Sequence, residues 1–263
     1  MSESLPPDPT SCVVLVPVGW RVEPAVEDGL RELERRGYAV RREYGHSAID
    51  AGRNVMAARA LRDGFDELMW IDADVAFSPE DVERLRRHGR PITCGIYPKK
   101  GPRSMAANFP PGTREVRFGR DGGLVRVAQV GFGFVHTRRQ AYEQIAERCR
   151  LPLCNETWND PLHPFFWPMV KPERRDGRLL HHYYAEDYAF CERAAEAGLE
   201  IWADTRLRLW HVGPYRYGWE DAGRDIERYG DYTYHIGRGP DDPGLDDPQA
   251  EPVRAAERAD PVG

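Results

Sequence analysis

The chain has no long apolar run. None approaches the roughly 20 residues a membrane-spanning helix needs, so no membrane span is expected. Its opening, Met1-Ser2-Glu3-Ser4-Leu5-Pro6-Pro7, lacks the basic and apolar regions of a signal peptide, and a cytoplasmic protein is the expectation. Cysteine is scarce and scattered. Cys12, Cys94, Cys149, Cys154 and Cys191 are odd in number, and Cys149 and Cys154 are not spaced like a zinc knuckle, so they read as reduced, mostly structural thiols. His163 and His181-His182 fit no zinc-protease or Cys/His spacing. Positive charge is not in excess either. Lys and Arg number 37 against 43 Asp and Glu, a net charge of -6 that gives no electrostatic case for nucleic acid as the main partner. Internal repeats are absent.

What is there is enough apolar material, 41% of 263 residues, for a substantial core. Residues 1–11 are polar and proline-rich and read as a flexible arm. Cys12 to Val18 is a continuous apolar run, the pattern of a strand buried on both faces. A helix over about 23–36, stopped by Gly37, a strand over 38–44, a helix from Asp50 to Arg62 and a strand from Glu67 to Ile71 follow. Pro79, with Glu80 and Asp81 behind it, opens another helix, and Pro91 to Ile96 is a fourth strand. This alternation predicts a doubly wound, mainly parallel sheet. Residues 98–135 read as short strands and turns, with Gly122-Gly123 as a hairpin signal and Gln129 to Val135 as a strand. A helix is expected over 137–148, another over about 186–197 ended by Gly198, a strand near 199–203, and a last helix over 220–236. The stretch 150–182, rich in Pro, Trp, Phe and His, reads as an ordered functional loop or an insertion over a site. One domain over 12–236 and a disordered, Pro- and acid-rich tail over 237–263 complete the layout.

The chemistry concentrates in a few places. Trp70-Ile71-Asp72-Ala73-Asp74-Val75 ends a strand in two carboxylates one residue apart. In a strand, i and i+2 share a side, and open α/β sheets bind ligands at this end. Two oxygen donors there suit Mg²⁺ or Mn²⁺ carrying a diphosphate. The plainer alternative is a strand end whose aspartate caps the next helix. Asp50-Ala51-Gly52-Arg53-Asn54 opens a helix, whose N-terminus is a ready anion site, with Arg53 able to grip a phosphate or stack on a base; taken alone, an Asp N-cap followed by surface polar residues is the favoured reading. Glu186-Asp187 offers a general base, or merely acids complementing a helix dipole. His211 can ligate a Mn²⁺-like ion or serve as a hydrogen-bonded structural residue. Gly131-Phe132-Gly133-Phe134 is no dinucleotide fingerprint, and reads as a strand that backbone or substrate approaches closely.

In order, Val16-Pro17-Val18, Asp50 with Arg53-Asn54, Ile71-Asp72-Ala73-Asp74, Gly131-Phe132-Gly133-Phe134, Glu186-Asp187 and His211 resemble the GT-A-type glycosyltransferases, family-2-like members in particular, from Val13 to about Gly213. The resemblance implies an α/β GT-A fold: a Rossmann-like, mainly parallel sheet, a small mixed second sheet and a loop-rich acceptor region. It implies a hexosyltransferase-like enzyme that moves a sugar from a nucleotide-diphospho-sugar to an acceptor the sequence does not name, with Mn²⁺ or Mg²⁺. Under it, Asp72 contacts the donor ribose or the metal, Asp74 and His211 ligate the metal, and Asp50, Arg53 and Asn54 lie along the donor. Gly131 and Gly133 line the donor–acceptor junction, Asp187 is the base, and Glu186 holds acceptor or metal. Lys99, Lys100 or Arg103 would add positive charge. Two features depart from the pattern. The usual polar turn after the first strand is Val18-Gly19-Trp20-Arg21, and no Gln-x-x-Arg-Trp-like motif occurs, which argues against a processive synthase. The competing readings are a catalytically silent nucleotide-sugar-binding module and a metal-dependent nucleotidyltransferase. The latter is disfavoured by a loop after the first strand with one Gly and one Arg.

Overall fold

The computed structural model describes residues 7–101, 103–223 and 231–235. Seven strands form the central sheet: β1 (Cys12–Val18), β2 (Ala39–Tyr44), β3 (Glu67–Ile71), β4 (Ile92–Cys94), β5 (Leu124–Val127), β6 (Phe134–Arg138) and β7 (Ile201–Asp204), in the order β2-β1-β3-β6-β4-β7-β5. β2, β1, β3, β4 and β7 run parallel, while β6 and β5 run against them. The fold is therefore α/β with a mainly parallel mixed sheet, compatible with a Rossmann-like arrangement.

The alternation of side chains along the strands divides the core in two. Val14, Val16, Met69 and Ile71 face α1 (Pro24–Arg35) and α3 (Pro79–Arg87), meeting Val26, Leu30, Leu33, Val82 and Leu85. Val13, Leu15, Leu68 and Trp70 face α2 (Ile49–Arg62), α4 (Arg139–Arg148) and α5 (Glu186–Glu196). Here Trp70, Phe132, Phe166 and Phe190 interlock, with ring centroids 4.7–5.9 Å apart. Fully burying one such ring contributes about 1.5–3 kcal/mol, so this cluster anchors α5 against the end of β3. Gly37 and Gly198 follow α1 and α5 with φ of +91° and +78°, the left-handed stop that a Cβ disfavours.

Elsewhere the structure corrects the sequence reading. Gly122-Gly123 turns no hairpin. Glu115–Phe118 pairs with Tyr232–His235, and Leu124–Val127 pairs with β7. A Cβ at Gly122 would meet Thr205 Oγ1 at 2.6 Å, so this glycine serves a close approach between segments. Gln129 to Val135 is broken into Gln129–Val130 and β6. Within 150–182 lies a β-hairpin, Met169–Arg175 with Arg178–Tyr184. Where a helix is expected over 220–236, the described residues form a 3-10 turn, Trp219–Ala222, and the strand Tyr232–His235; residues 224–230 and 236 lie outside the described residues. The second sheet, Arg216–Tyr217, Trp210–Val212 and Val75–Ala76, is antiparallel throughout, not mixed. Residues 7–11, expected within a flexible arm, are tied down: Arg86 donates to the Asp8 carbonyl at 2.7 Å and to Ser11 Oγ at 3.0 Å. The proposed tail, 237–263, lies outside the described residues. Among the described residues no helix is long and apolar enough to cross a membrane, and the five cysteines are free thiols.

Candidate functional site

Every residue of β3 is buried, and the strand stops at Ile71. Asp72 N–H donates to the Gly133 carbonyl (3.0 Å), and Val75 N–H closes a turn on the Asp72 carbonyl (3.1 Å). The alternation that would point Asp72 and Asp74 to one side therefore ends one residue too early. Asp72 Oδ1 accepts from Arg53 Nη2 at 2.8 Å, whereas Asp74 Oδ2 accepts from Lys100 Nζ at 2.6 Å. The two carboxylates have different partners.

Asp74 is placed by the second sheet. Val75 pairs with His211, and Val212 N–H donates to the Asp74 carbonyl at 2.7 Å. This register sets His211 Nε2 3.6 Å from Asp74 Oδ1. His211 Nδ1 lies 2.9 Å from the Pro98 carbonyl, which can only accept, so Nδ1 carries a proton. In the neutral ring Nε2 then keeps its lone pair on the Asp74 side, the outer-shell arrangement that metal-ligating histidines use. Burial would raise the Asp74 pKa, but the contacts with His211 and Lys100 outweigh it and hold the carboxyl below its ordinary value.

Arg53, on α2, is 2% exposed. Its guanidinium lies over the rings of Trp70 and Phe132, 5.5 and 5.6 Å from their centroids, and joins Asp72 to Glu186, whose Oε1 is 3.6 Å from Nε. Nη1 is buried with no hydrogen-bond partner among the described residues. Burial alone would lower the Arg53 pKa; Asp72 and Glu186 reverse this and raise it. The residue is a fixed cation braced between the end of β3 and the start of α5. Asn54, next along α2, accepts from Phe166 N–H at 2.8 Å, so its amide oxygen holds the 163–167 loop. Asp50 sits half-buried in the first turn of α2.

The Met169–Tyr184 hairpin leads directly into α5, whose first turn holds Glu186 and Asp187. Burial first, then the neighbouring Glu186 charge, push the Asp187 carboxyl up to about 6. A carboxylate poised there can take a proton near neutral pH.

Sequence reasoning passed over Tyr97, which explains the Gly-Phe-Gly motif. Its phenol oxygen accepts from Gly133 N–H at 3.0 Å. A Cβ at Gly131 or Gly133 would come within 2.7 or 2.5 Å of that oxygen, and one at Gly133 would also sit 2.9 Å from Asp72 Oδ2. The ring meets His211 edge-on, centroids 5.1 Å apart. Burial, then the charge of Asp72, raise the Tyr97 pKa well above the ordinary value, which keeps the hydroxyl protonated. The available signal was a hydroxyl-bearing aromatic at the C-terminal end of the fourth apolar run, just before Pro98.

One group thus comprises Arg53, Asp72, Glu186, Asp187 and Gly133; a second comprises Asp74, His211 and Lys100; Tyr97 lies between them. Asp72, expected among the metal ligands, is held by Arg53 and does not join Asp74 and His211. Among the described residues no three His, Cys, Asp or Glu side chains come together as a metal-holding group. Asp74 and His211 remain a pair of donors, one oxygen and one nitrogen. That pair suits Mn²⁺ or Mg²⁺ only if a ligand's oxygens complete the shell, the usual condition for cations that ride on phosphates.

No family model matches this chain, and no curated protein matches it. Among solved structures, the crystal structure of A197 from STIV is similar over 79% of this chain and 88% of that one, at 16% identity and a TM-score of 0.48. The crystal structure of a glycosyltransferase involved in the glycosylation of the major capsid of PBCV-1 is similar over 50% of this chain and 62% of that one, at 14% identity and a TM-score of 0.27. Likenesses this distant bear on neither activity nor substrate, and the functional reading rests on the site itself.

Proposed function

We propose that the chain is a glycosyltransferase of GT-A type that moves a sugar from a nucleotide-diphospho-sugar to a hydroxyl-bearing acceptor, with a divalent cation held by Asp74 and His211. The observation that carries this reading is the separation of charge at one end of the parallel strands. Lys100, Asp74 and His211 supply a cation-and-anion group beside Tyr97. Asp187, a carboxyl pushed up to about 6, belongs with Glu186, Arg53 and Asp72.

In the reaction this supports, the acceptor oxygen bonds to the anomeric carbon while the carbon–oxygen bond to the diphosphate breaks. The diphosphate leaves with the bonding electron pair, and the acceptor's proton passes to Asp187. When bound, the cation would offset charge growing on the departing diphosphate. Lys100 adds positive charge on the same side. Arg53 ties Asp72, at the donor end, to Glu186, which stands beside the base. Glu186 in turn helps to keep the Asp187 pKa within reach of neutral pH.

The test is nucleoside diphosphate release from a panel of nucleotide-sugars with Mn²⁺, alongside melts of the protein with Mn²⁺ and each nucleoside diphosphate. One nucleotide should raise the melting temperature only with metal, its sugar conjugate should be turned over, and Asp74→Ala should abolish both effects. Stabilisation without turnover would convert the reading to a nucleotide-sugar-binding module. Folded protein that responds to no nucleotide would overturn it.

A further inference from the structure

The Lys100–Asp74 ion pair occupies the carboxylate on which the proposed cation depends. The contact is built in. Lys99 N–H donates to the Ser104 carbonyl at 2.8 Å and Pro98 bridges Met105, closing the loop that carries Lys100. Gly101, with φ +93°, turns the chain immediately after it. The lysine stem lies on Gly213, where a Cβ would come 3.2 Å from Cδ and 3.5 Å from Cε. A glycine there gives the stem its path to Asp74, and that turn follows directly from the strand carrying His211.

These contacts set up a competition. An ammonium 2.6 Å from Asp74 Oδ2 is adjacent to any divalent cation that Asp74 Oδ1 and His211 Nε2 could bind, and like charges at such separations repel strongly in a partly buried site. A diphosphate removes the conflict, because its oxygens can pair with the ammonium and coordinate the cation together. We propose that Lys100 and the divalent cation compete for Asp74, so that the cation binds tightly only with a diphosphate, and free metal or orthophosphate alone is discriminated against. This rests on the glycosyltransferase reading and gives that site a specificity: a metal–diphosphate pair in place of either component.

The experiment measures Mn²⁺ affinity from the paramagnetic resonance signal of the free ion, with no catalysis involved. It compares the unaltered chain with Lys100→Met, Lys100→Gln, Lys100→Arg, Asp74→Ala and Arg178→Met, alone, with orthophosphate and with each nucleoside diphosphate. Arg178 lies at the exposed end of the hairpin and controls for a change in net charge. The unaltered chain should bind Mn²⁺ alone weakly. Lys100→Met and Lys100→Gln should bind it at least tenfold more tightly, Lys100→Arg and Arg178→Met should match the unaltered chain, and a nucleoside diphosphate but not orthophosphate should close most of the gap. Unchanged or weaker Mn²⁺ binding by both neutral variants, or equal tightening in Arg178→Met, would overturn the competition while leaving the metal reading intact. Mn²⁺ binding that Asp74→Ala does not alter, or no binding by any folded protein with any nucleotide, would instead remove the metal reading on which the competition depends.

Discussion

Asp187 shows how a single residue can be both useful and costly. Its carboxyl titrates near 6 in the folded chain against 3.8 for the ordinary side chain, because burial and Glu186 disfavour its charge. Between those two pH values the native state holds the extra proton, so stability declines as pH rises from about 4 to about 6 and stays lower above that. A shift of this size corresponds to about 1–3 kcal/mol. Asp187→Asn keeps the oxygen that accepts from Tyr188 N–H at 2.7 Å and removes the charge. At pH 8 the variant should be more stable by about 1–3 kcal/mol in urea titrations, with the gain shrinking as pH falls from about 6 toward 4. If Asp187 is the base proposed above, the variant's transfer rate should fall by about 10²–10⁴-fold, and the unaltered chain's rate should drop on acidification through about pH 6. A variant that is no more stable and still active would remove Asp187 as the base.

At the scale of elements, α2 serves two ends, and only one was legible in the sequence. Its opening, Asp50-Ala51-Gly52-Arg53-Asn54, reads as an anion site, and the GT-A resemblance implies Arg53 and Asn54 along the donor. Arg53 does reach the end of β3, but Asn54 accepts from Phe166 N–H, a partner 112 positions away that no local pattern announces. Asn54→Ala should therefore behave as a packing variant. It leaves a buried amide unsatisfied and should cost about 1–3 kcal/mol of stability, whereas Asn54→Asp, which keeps the acceptor, should recover most of it. Weaker nucleotide binding by Asn54→Ala at undiminished stability would return the residue to the donor site. The hairpin at 169–184 was missed for a different reason. Its first arm carries Lys171-Pro172-Glu173-Arg174-Arg175 in place of alternating apolar residues, yet Asp176-Gly177, with φ of +51° and +75°, is a two-residue turn signal. The early strands and helices were readable because they are buried by their own continuous or periodic apolar residues. The pairing of Glu115–Phe118 with Tyr232–His235 was not, because such short strands take their register from distant partners.

At the scale of the whole molecule, β3 separates two charged clusters. The candidate site lies at one end of β3. At the other, Glu67 accepts from Arg86 Nε at 2.9 Å and lies 2.6 Å from His136 Nε2, while Arg86 also reaches Tyr38 and the backbone of residues 7 and 8. The five residues of β3 set these ends about 16 Å apart at the usual rise per residue. Burial pulls the Glu67 carboxyl up, but bonds from His136 and Arg86 prevail and hold it at about 2. Burial likewise lowers the His136 pKa, so Arg86 is the permanent counter-charge. Both shifts act in the same direction. The unfolded chain takes up protons at His136 below its ordinary 6.5 and at Glu67 below 4.5, where the native cluster resists them, so stability is lost progressively on acidification. Glu67→Gln would leave Arg86 buried without its carboxylate, an arrangement that costs about 3–5 kcal/mol when one partner of a buried pair is removed. The variant should be destabilised by that order at pH 7 and lose less stability than the unaltered chain between pH 5 and 3. Its folded fraction should bind Mn²⁺ and nucleoside diphosphate as before, because none of the three side chains reaches the site. Melts across that pH range, paired with binding at pH 7, check both halves. Unchanged stability would show that the cluster does not hold this end of the sheet, and altered ligand binding in folded protein would show that the two ends are coupled through β3.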